Sequence, residues 1–234
     1  MADVLLIHGS GHGAWCWRDV VPVLTRLGHH ARAIDLPSHG ADRTPVNDVT
    51  LDGYTQAILE AMDGPTVLVG HSMAGYPIST AAEAAPDLVT RLIYVCAYTP
   101  WPGLSLADMR KLAPRQPLLE AVIRSEDGKS FTIDPAKARR LFYHDCPDEA
   151  VAHALANLCP QAIAPQATPV TLGAGYSRVP RSYILCEDDR TIPPEFQQDM
   201  AARFDPRDVH RLPVSHSPFF AMPDRLARLI HDLI

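Results

Sequence analysis

A serine hydroxyl becomes a nucleophile only when a base stands within hydrogen-bond reach and an acid orients that base. The stretch VLVGHSMAGYP (67–77) offers such a serine. Thr66 to Val69 is an apolar, β-branched run bounded by Gly64-Pro65 and Gly70, whereas Ala74 to Ala85 is rich in alanine and helix-forming. Too little chain separates the two for a loop, so it must turn sharply from strand to helix with Ser72 at the apex. Side chains beside such an apex would clash, and Gly70, Ala74 and Gly75 are all small. The spacing is G-x-S-x-G with Ala74 in the last place. It pushes the hydroxyl above the sheet and aims helix amides at it. A plain strand, turn and helix would give similar letters, so the motif gains force only from an oxyanion loop, an acid and a histidine elsewhere.

Those partners follow. In an open α/β sheet, functional groups gather at the carboxyl ends of the strands. RSYILC (181–186) is followed by Glu187, Asp188 and Asp189, and the strand-like DVHRLP (208–213) by Val214, Ser215, His216, Ser217 and Pro218. The order serine, acid, histidine suits this elbow. The chain has 11 histidines, so one in a useful loop is weak evidence alone. His216 stands out because it lies between the last strand and the last helix, among small residues. His71 is expected to point away from its neighbour Ser72, and His29, His30, His153, His210 and His231 are expected at the surface. The three consecutive carboxylates leave the acid open, since such clusters also cap helices. One oxyanion donor is expected to be the Met73 amide, the other an amide of the loop His8-Gly9-Ser10-Gly11-His12-Gly13. That loop lacks the spacing of a nucleotide phosphate site.

The 234 residues suit one α/β domain with an insertion, and 47% hydrophobic with 21% charged residues suits a folded core. A net charge of −6 argues against nucleic acid or an anionic membrane as partner. The 5 cysteines are odd in number and show no C-x-x-C spacing, so neither a disulfide framework nor a zinc site is expected. ADVLLIH (2–8) is already strand-like, no signal-peptide pattern precedes it, and no apolar run reaches the length of a membrane span; a cytoplasmic setting is expected.

Strand patterns recur at 4–8, 30–34, 66–69, 90–97, 181–186 and 208–213, with helical segments at 14–27, 51–63, 74–85 and 222–234. This alternation predicts an α/β fold with a mainly parallel sheet of about six strands and helices on both faces. Residues 1–98 and 179–234 are assigned to that core. Residues 99–178 show no convincing strand and carry helical segments at 104–113, 135–142 and 147–158, which predicts an inserted helical cap. Trp15 and Trp17 read as core. Trp101, Phe142, Tyr143, Phe219 and Phe220 are candidates to line a pocket under the cap, with Leu104, Met109 and Leu112.

The chain resembles the α/β-hydrolases, and more narrowly the subgroup of plant methyl esterases and hydroxynitrile lyases. The likeness rests on LLIHGSGHGAWCWRDVVPVL (5–24), GHHARAIDLPSHG (28–40), VLVGHSMAG (67–75), CEDDRTIPPEFQ (186–197) and the His216 loop. In that family the acid stands four residues before the proline of an Ile-Pro pair and seven before a Phe, which here means Asp189. The resemblance implies a Ser72–His216–Asp189 triad, an oxyanion hole from the Ser10 and Met73 amides, and no cofactor. The lyases of the subgroup carry a lysine just after the histidine and a threonine after the first-strand histidine. Here those positions are Ser217 and Gly9, which with His12 complete the candidate pocket residues.

The expected activity is that of a serine carboxylesterase acting on small apolar carboxylic esters through an acyl-enzyme. A hydroxynitrile lyase using the same triad and a receptor-like ligand-binding hydrolase are the alternatives. A small-molecule ester is the expected partner, and a homodimer is a candidate assembly.

Overall fold

The apolar runs that end in small or polar residues all become strands. In the computed structural model, which describes residues 1–234, β1 (Asp3–Ile7), β2 (His30–Ile34), β3 (Thr66–His71) and β4 (Val89–Val95) precede the insertion. Within the insertion lie β5 (Val122–Arg124), β6 (Ser130–Ile133) and β7 (Gln161–Ala162), and after it β8 (Arg181–Cys186) and β9 (Val209–Leu212). The main sheet has the order β2-β1-β3-β4-β8-β9, and every pairing in it is parallel.

Both faces of this sheet are dry, which is why its strands read as continuous apolar runs. Val4, Leu6, Val67, Val69, Ile93 and Val95 face one core layer. Leu5, Ile7, Leu68, Leu92 and Tyr94 face the other. Trp17, Leu24, Leu226 and Ile230 cover the first face, and Tyr54, Ile58, Ile78, Phe196 and Met200 the second. The register aligns Ile7 with Gly70 and His71 with Val95, and further along Cys186 with Leu212. The loops that follow β1, β3, β8 and β9 therefore open at one edge of the sheet.

Three elements differ from the sequence reading. Residues 14–27 form no single helix but a 3₁₀ turn, Ala14–Trp17, and a short helix, Val21–Arg26. Pro22 explains the break, because proline fits the first turn of a helix but not its interior. The insertion is not purely helical. It carries the helices Leu106–Leu112, Pro135–Phe142 and Asp148–Asn157, but also an antiparallel sheet in the order β5-β6-β7. Those strands span 3, 4 and 2 residues, too few for a period-two pattern to emerge. The turn between β5 and β6 is nonetheless encoded: Gly128 has φ +69°, and Asp127 accepts hydrogen bonds from Ser125 and Lys129. His29, expected at the surface, is instead buried beside His231, their ring nitrogens 2.7 Å apart. No helix is long and apolar enough to cross a membrane.

The strand-to-helix turn after β3 is closely packed. A side chain on Gly70 would meet Ile78 at 2.7 Å and the Ala74 backbone at 3.1 Å, and one on Gly75 would run into the Tyr98 carbonyl. Gly75→Ala is expected to destabilise the fold by about 1–3 kcal/mol through this overlap. Gly64→Ala, where nothing lies within 4 Å, serves as the control and should change stability by less than about 0.5 kcal/mol. Thermal unfolding of both variants checks this; equal shifts in Tm would refute the packing argument.

Candidate active site

Ser72 directly follows β3 and has φ 56°, a left-handed conformation that a side chain other than glycine adopts only under constraint. The helix Gly75–Ala84 begins three residues later. Ala74 sits at φ −61°, ψ −14°, so the alanine in the elbow enters the helix without distortion. The Ser72 carbonyl accepts a hydrogen bond from the Tyr98 amide at 3.0 Å. In a trans peptide the N–H points opposite to the C=O, so the Met73 amide is turned away from Tyr98.

The histidine comes from the loop after β9. His216 Nε2 lies 3.0 Å from Ser72 Oγ, and Nδ1 lies 2.6 Å from Asp189 Oδ2. The insertion steadies this loop: Asp145 accepts from the Ser215 amide at 2.8 Å, and the Phe142 carbonyl accepts from the Ser215 hydroxyl at 3.2 Å. Of the three consecutive carboxylates, Glu187 and Asp188 are exposed and Asp189 is buried. Asp189 Oδ1 accepts from the amides of Thr191 (2.6 Å) and Ile192 (2.9 Å), while Oδ2 accepts from Gln197 Nε2 (2.8 Å) as well as from His216. Both oxygens are thus satisfied, as burial of a carboxylate requires.

The loop after β1 is held by its own histidines. The Gly9 carbonyl accepts from His8 Nδ1 at 2.8 Å and from the His12 amide at 3.3 Å, which turns the Ser10 N–H of the same peptide the other way. His12 Nδ1 donates to the Ser10 carbonyl at 2.8 Å, and its Nε2 accepts from the Tyr143 hydroxyl at 2.7 Å. Gly9 is required by close approach, since a Cβ there would lie 2.8 Å from His71 Nδ1 and 2.9 Å from the Ser72 Cβ.

Burial makes this a neutral environment despite its imidazoles. It lowers the pKa of His12 to about 4, and pushes His8 and His71 well below the ordinary histidine range. Their hydrogen bonds agree: His8 Nε2 accepts from the Leu36 amide at 3.0 Å, and His71 Nε2 donates to the His216 carbonyl at 2.8 Å. His71, expected to point away from the serine, instead lines the pocket beside it and packs 4.6 Å from the His216 ring. His71, Cys96 and His216 cluster within 4.8 Å of one another. A metal there would have to displace His216 from Asp189 or Ser72, so the set fits a metal poorly.

A narrow pocket, with only about 10 Å³ of room for a water-sized molecule, opens beside Ser72. Of the expected pocket residues His12 and Phe142 line it, Gly9 lies under it against Ser72, and Ser10 and Met73, expected as oxyanion donors, line it too. Other expected residues do not line it. Trp101 faces a separate surface groove, with the Arg203 guanidinium 4.1 Å from its ring. Tyr143, Ser217 and Phe219 are buried behind the pocket, where Tyr143 holds His12 and Phe219 packs 4.9 Å from the His71 ring. Phe220, Leu104, Met109 and Leu112 are likewise outside it, Leu112 being half exposed. The wall is completed by Tyr98, Leu106, Arg110, Leu118, Ile133 and Ile192, with Thr191. Leu106 and Arg110 are four apart on one helix, a spacing visible in the sequence. Leu118 and Ile133 carried no such signal, because their positions depend on the small antiparallel sheet.

Comparison with known proteins agrees with this geometry. The profile of the Alpha/beta hydrolase family matches residues 4–229. A pyrethroid hydrolase of Sphingobium wenxiniae is 32% identical over 99% of this chain and 87% of its own length. Methylesterase 3 of Arabidopsis thaliana is 29% identical over 98% of this chain and 95% of its own. Among solved structures, a pyrethroid hydrolase from Sphingobium faniae superposes with a TM-score of 0.88 at 30% identity, covering 99% of this chain and 96% of that one.

The buried neutral histidines make stability depend on pH in a definite direction. Between the ordinary histidine value of 6.5 and the His12 value of about 4, the unfolded chain binds a proton at this position that the folded chain does not. Stability therefore falls as pH drops through that window, by up to about 1.4 kcal/mol per pH unit for each such histidine. His8 and His71 contribute with the same sign. Urea midpoints at pH 7 and pH 5 are expected to differ strongly in the native protein and less in His12→Gln. An equal difference in both proteins would show that His12 is not buried neutral.

Proposed function

The chain belongs to the alpha/beta hydrolase family, and from that premise we propose that it is a carboxylesterase that cleaves small carboxylic esters through an acyl-enzyme on Ser72. The observation that carries this reading is the continuous contact Ser72 Oγ, His216 Nε2, His216 Nδ1, Asp189 Oδ2, at 3.0 and 2.6 Å. His216 takes the hydroxyl proton as Ser72 Oγ bonds to the ester carbonyl carbon. The carbonyl oxygen becomes an oxyanion, received by the Ser10 and Met73 amides. The C–O bond to the alcohol then breaks, and His216 returns its proton to the departing oxygen. Water, activated by the same imidazole, attacks the acyl-enzyme, releases the carboxylic acid and restores Ser72. Asp189 fixes the tautomer that leaves Nε2 free to accept. No cofactor enters any of these steps.

The esterase reading is favoured over the lyase one. The pyrethroid hydrolase and the methylesterase named above both carry hydrolytic names. Gly9 has no room for the threonine of the lyases, and the residue after His216 is a buried serine. The narrowness of the pocket favours a short acyl group over a long one. Residues 99–178 are proposed to act as the cap over this pocket. Unpaired thiols at all 5 cysteines fit a cytoplasmic setting. A homodimer would draw on the exposed Leu112, Leu119 and Ile123 of the insertion.

Ser72→Ala is expected to lose about 10⁴- to 10⁶-fold in turnover of p-nitrophenyl butyrate while keeping its circular dichroism spectrum. Asp189→Asn should lose roughly 10⁴-fold and Asp188→Asn far less. Retained activity in a folded Ser72→Ala protein would defeat the hydrolase reading. With mandelonitrile, cyanide release should not exceed the buffer rate. Release that vanishes in Ser72→Ala would establish the lyase instead.

A further inference from the structure

Arg110 is the one side chain of permanent charge on the wall of the Ser72 pocket. It stands one turn beyond Leu106 on the helix Leu106–Leu112, and both line the pocket. Its Nη2 donates to Gln166 Oε1 at 2.6 Å, and Gln166 Nε2 in turn donates to Ser10 Oγ at 2.8 Å. Its Nε is buried and has no partner. No carboxylate answers the charge: Asp108, the nearest acid along the helix, is engaged by Ser105 and Lys111. Arg110 also borders an outer cleft formed with Leu119, Phe131, Ile163 and Gln166.

A purely structural role leaves part of this unexplained. Tethering Gln166 uses Nη2 alone, and a neutral amide would serve as well. It leaves a buried N–H without an acceptor, which is costly beside a guanidinium that cannot shed its proton. The Tyr98 hydroxyl shares this corner. Burial raises its pKa, while the Arg110 charge and a hydrogen bond from Arg110 oppose the rise, so the hydroxyl keeps its proton and can donate to an anion beside the guanidinium. The corner offers donors and a positive charge, and what it lacks is an anionic acceptor.

We propose that Arg110 selects esters whose acyl part ends in a free carboxylate, so that the preferred substrates are half-esters of short dicarboxylic acids. This rests on the esterase reading and adds the class of ester. The ester carbonyl meets Ser72 and the free carboxylate meets Arg110. Water cleaves the ester bond, giving the dicarboxylic acid and the alcohol. A charge-assisted pair formed away from bulk water distinguishes such a substrate from its neutral analogue by about 10- to 100-fold.

The test compares monomethyl succinate with methyl butyrate, which have equal acyl length and differ in the terminal carboxylate. Proton release at pH 8 is expected to give a kcat/KM at least about tenfold higher for monomethyl succinate. In Arg110→Met that ratio should fall to about one, with the loss in KM; Arg110→Lys should retain part of it because the charge remains. A ratio near one in the native protein, or an unchanged ratio in Arg110→Met, overturns the proposal. Calorimetry on Ser72→Ala separates the two readings. Monomethyl succinate that binds Ser72→Ala at least about tenfold more tightly than Ser72→Ala/Arg110→Met, while the native protein hydrolyses neither ester, sustains the Arg110 assignment and defeats the esterase. Hydrolysis of methyl butyrate with no measurable binding of monomethyl succinate does the reverse.

Discussion

The hydrogen bond from the Tyr98 amide to the Ser72 carbonyl fixes the one peptide on which the site turns. A non-glycine residue at positive φ costs on the order of 1–3 kcal/mol, and it persists only where its surroundings allow no alternative. Here β3 is buried between β1 and β4, so the strand cannot shift to relieve the turn. Gly70 lies against the Ala74 backbone, and Gly75 lies against the Tyr98 carbonyl. One residue, Tyr98, three beyond the end of β4, therefore orients the Ser72 peptide with its amide and limits the approach of the helix with its carbonyl. Rotating that peptide would move the serine hydroxyl away from His216 and the Met73 amide away from the pocket at once.

Electrostatics imposes the second constraint. A dry site lined with histidines could accumulate charge as pH falls, and each buried imidazolium would oppose protonation of the others. Burial keeps His8, His12 and His71 neutral, and it does so against the hydrogen bond that each donates from one ring nitrogen to a carbonyl, which favours the charged form. The carboxylate of Asp189 faces the opposite problem, since a buried anion needs donors. Two amides, one glutamine and one imidazole supply them. Asp188, one residue earlier, has its side chain in water, so the neighbouring carboxylates differ in environment far more than in sequence.

The sheet and the elbow were legible because both obey local rules: continuous apolar runs for strands buried on two faces, and small residues where backbone approaches backbone. The reading failed where packing at a distance decided the outcome. Strands of 2 to 4 residues leave no periodicity, so the antiparallel sheet of the insertion was missed. Aromatic type alone could not show that Trp101 turns to a different groove or that Phe219 packs under His71, because either role satisfies the same apolar side chain. Arg110 was overlooked for the converse reason. A charged residue on a short helix reads as solvent-facing until the elements opposite it are known.

The insertion therefore braces the site. Through Asp145 and Phe142 it steadies the loop that carries His216, and through Tyr143 it holds His12 and with it the loop that carries Ser10. Through Gln166 it reaches the Ser10 hydroxyl as well, and the same glutamine holds Arg110. One segment thus lines part of the pocket and also braces two of the loops that surround the serine. A change that moved it would alter the set of accepted esters and the alignment of His216 together. Variation in this segment is accordingly constrained at the residues that brace the loops, and freer at side chains such as Leu118 and Ile133 that only fill the wall.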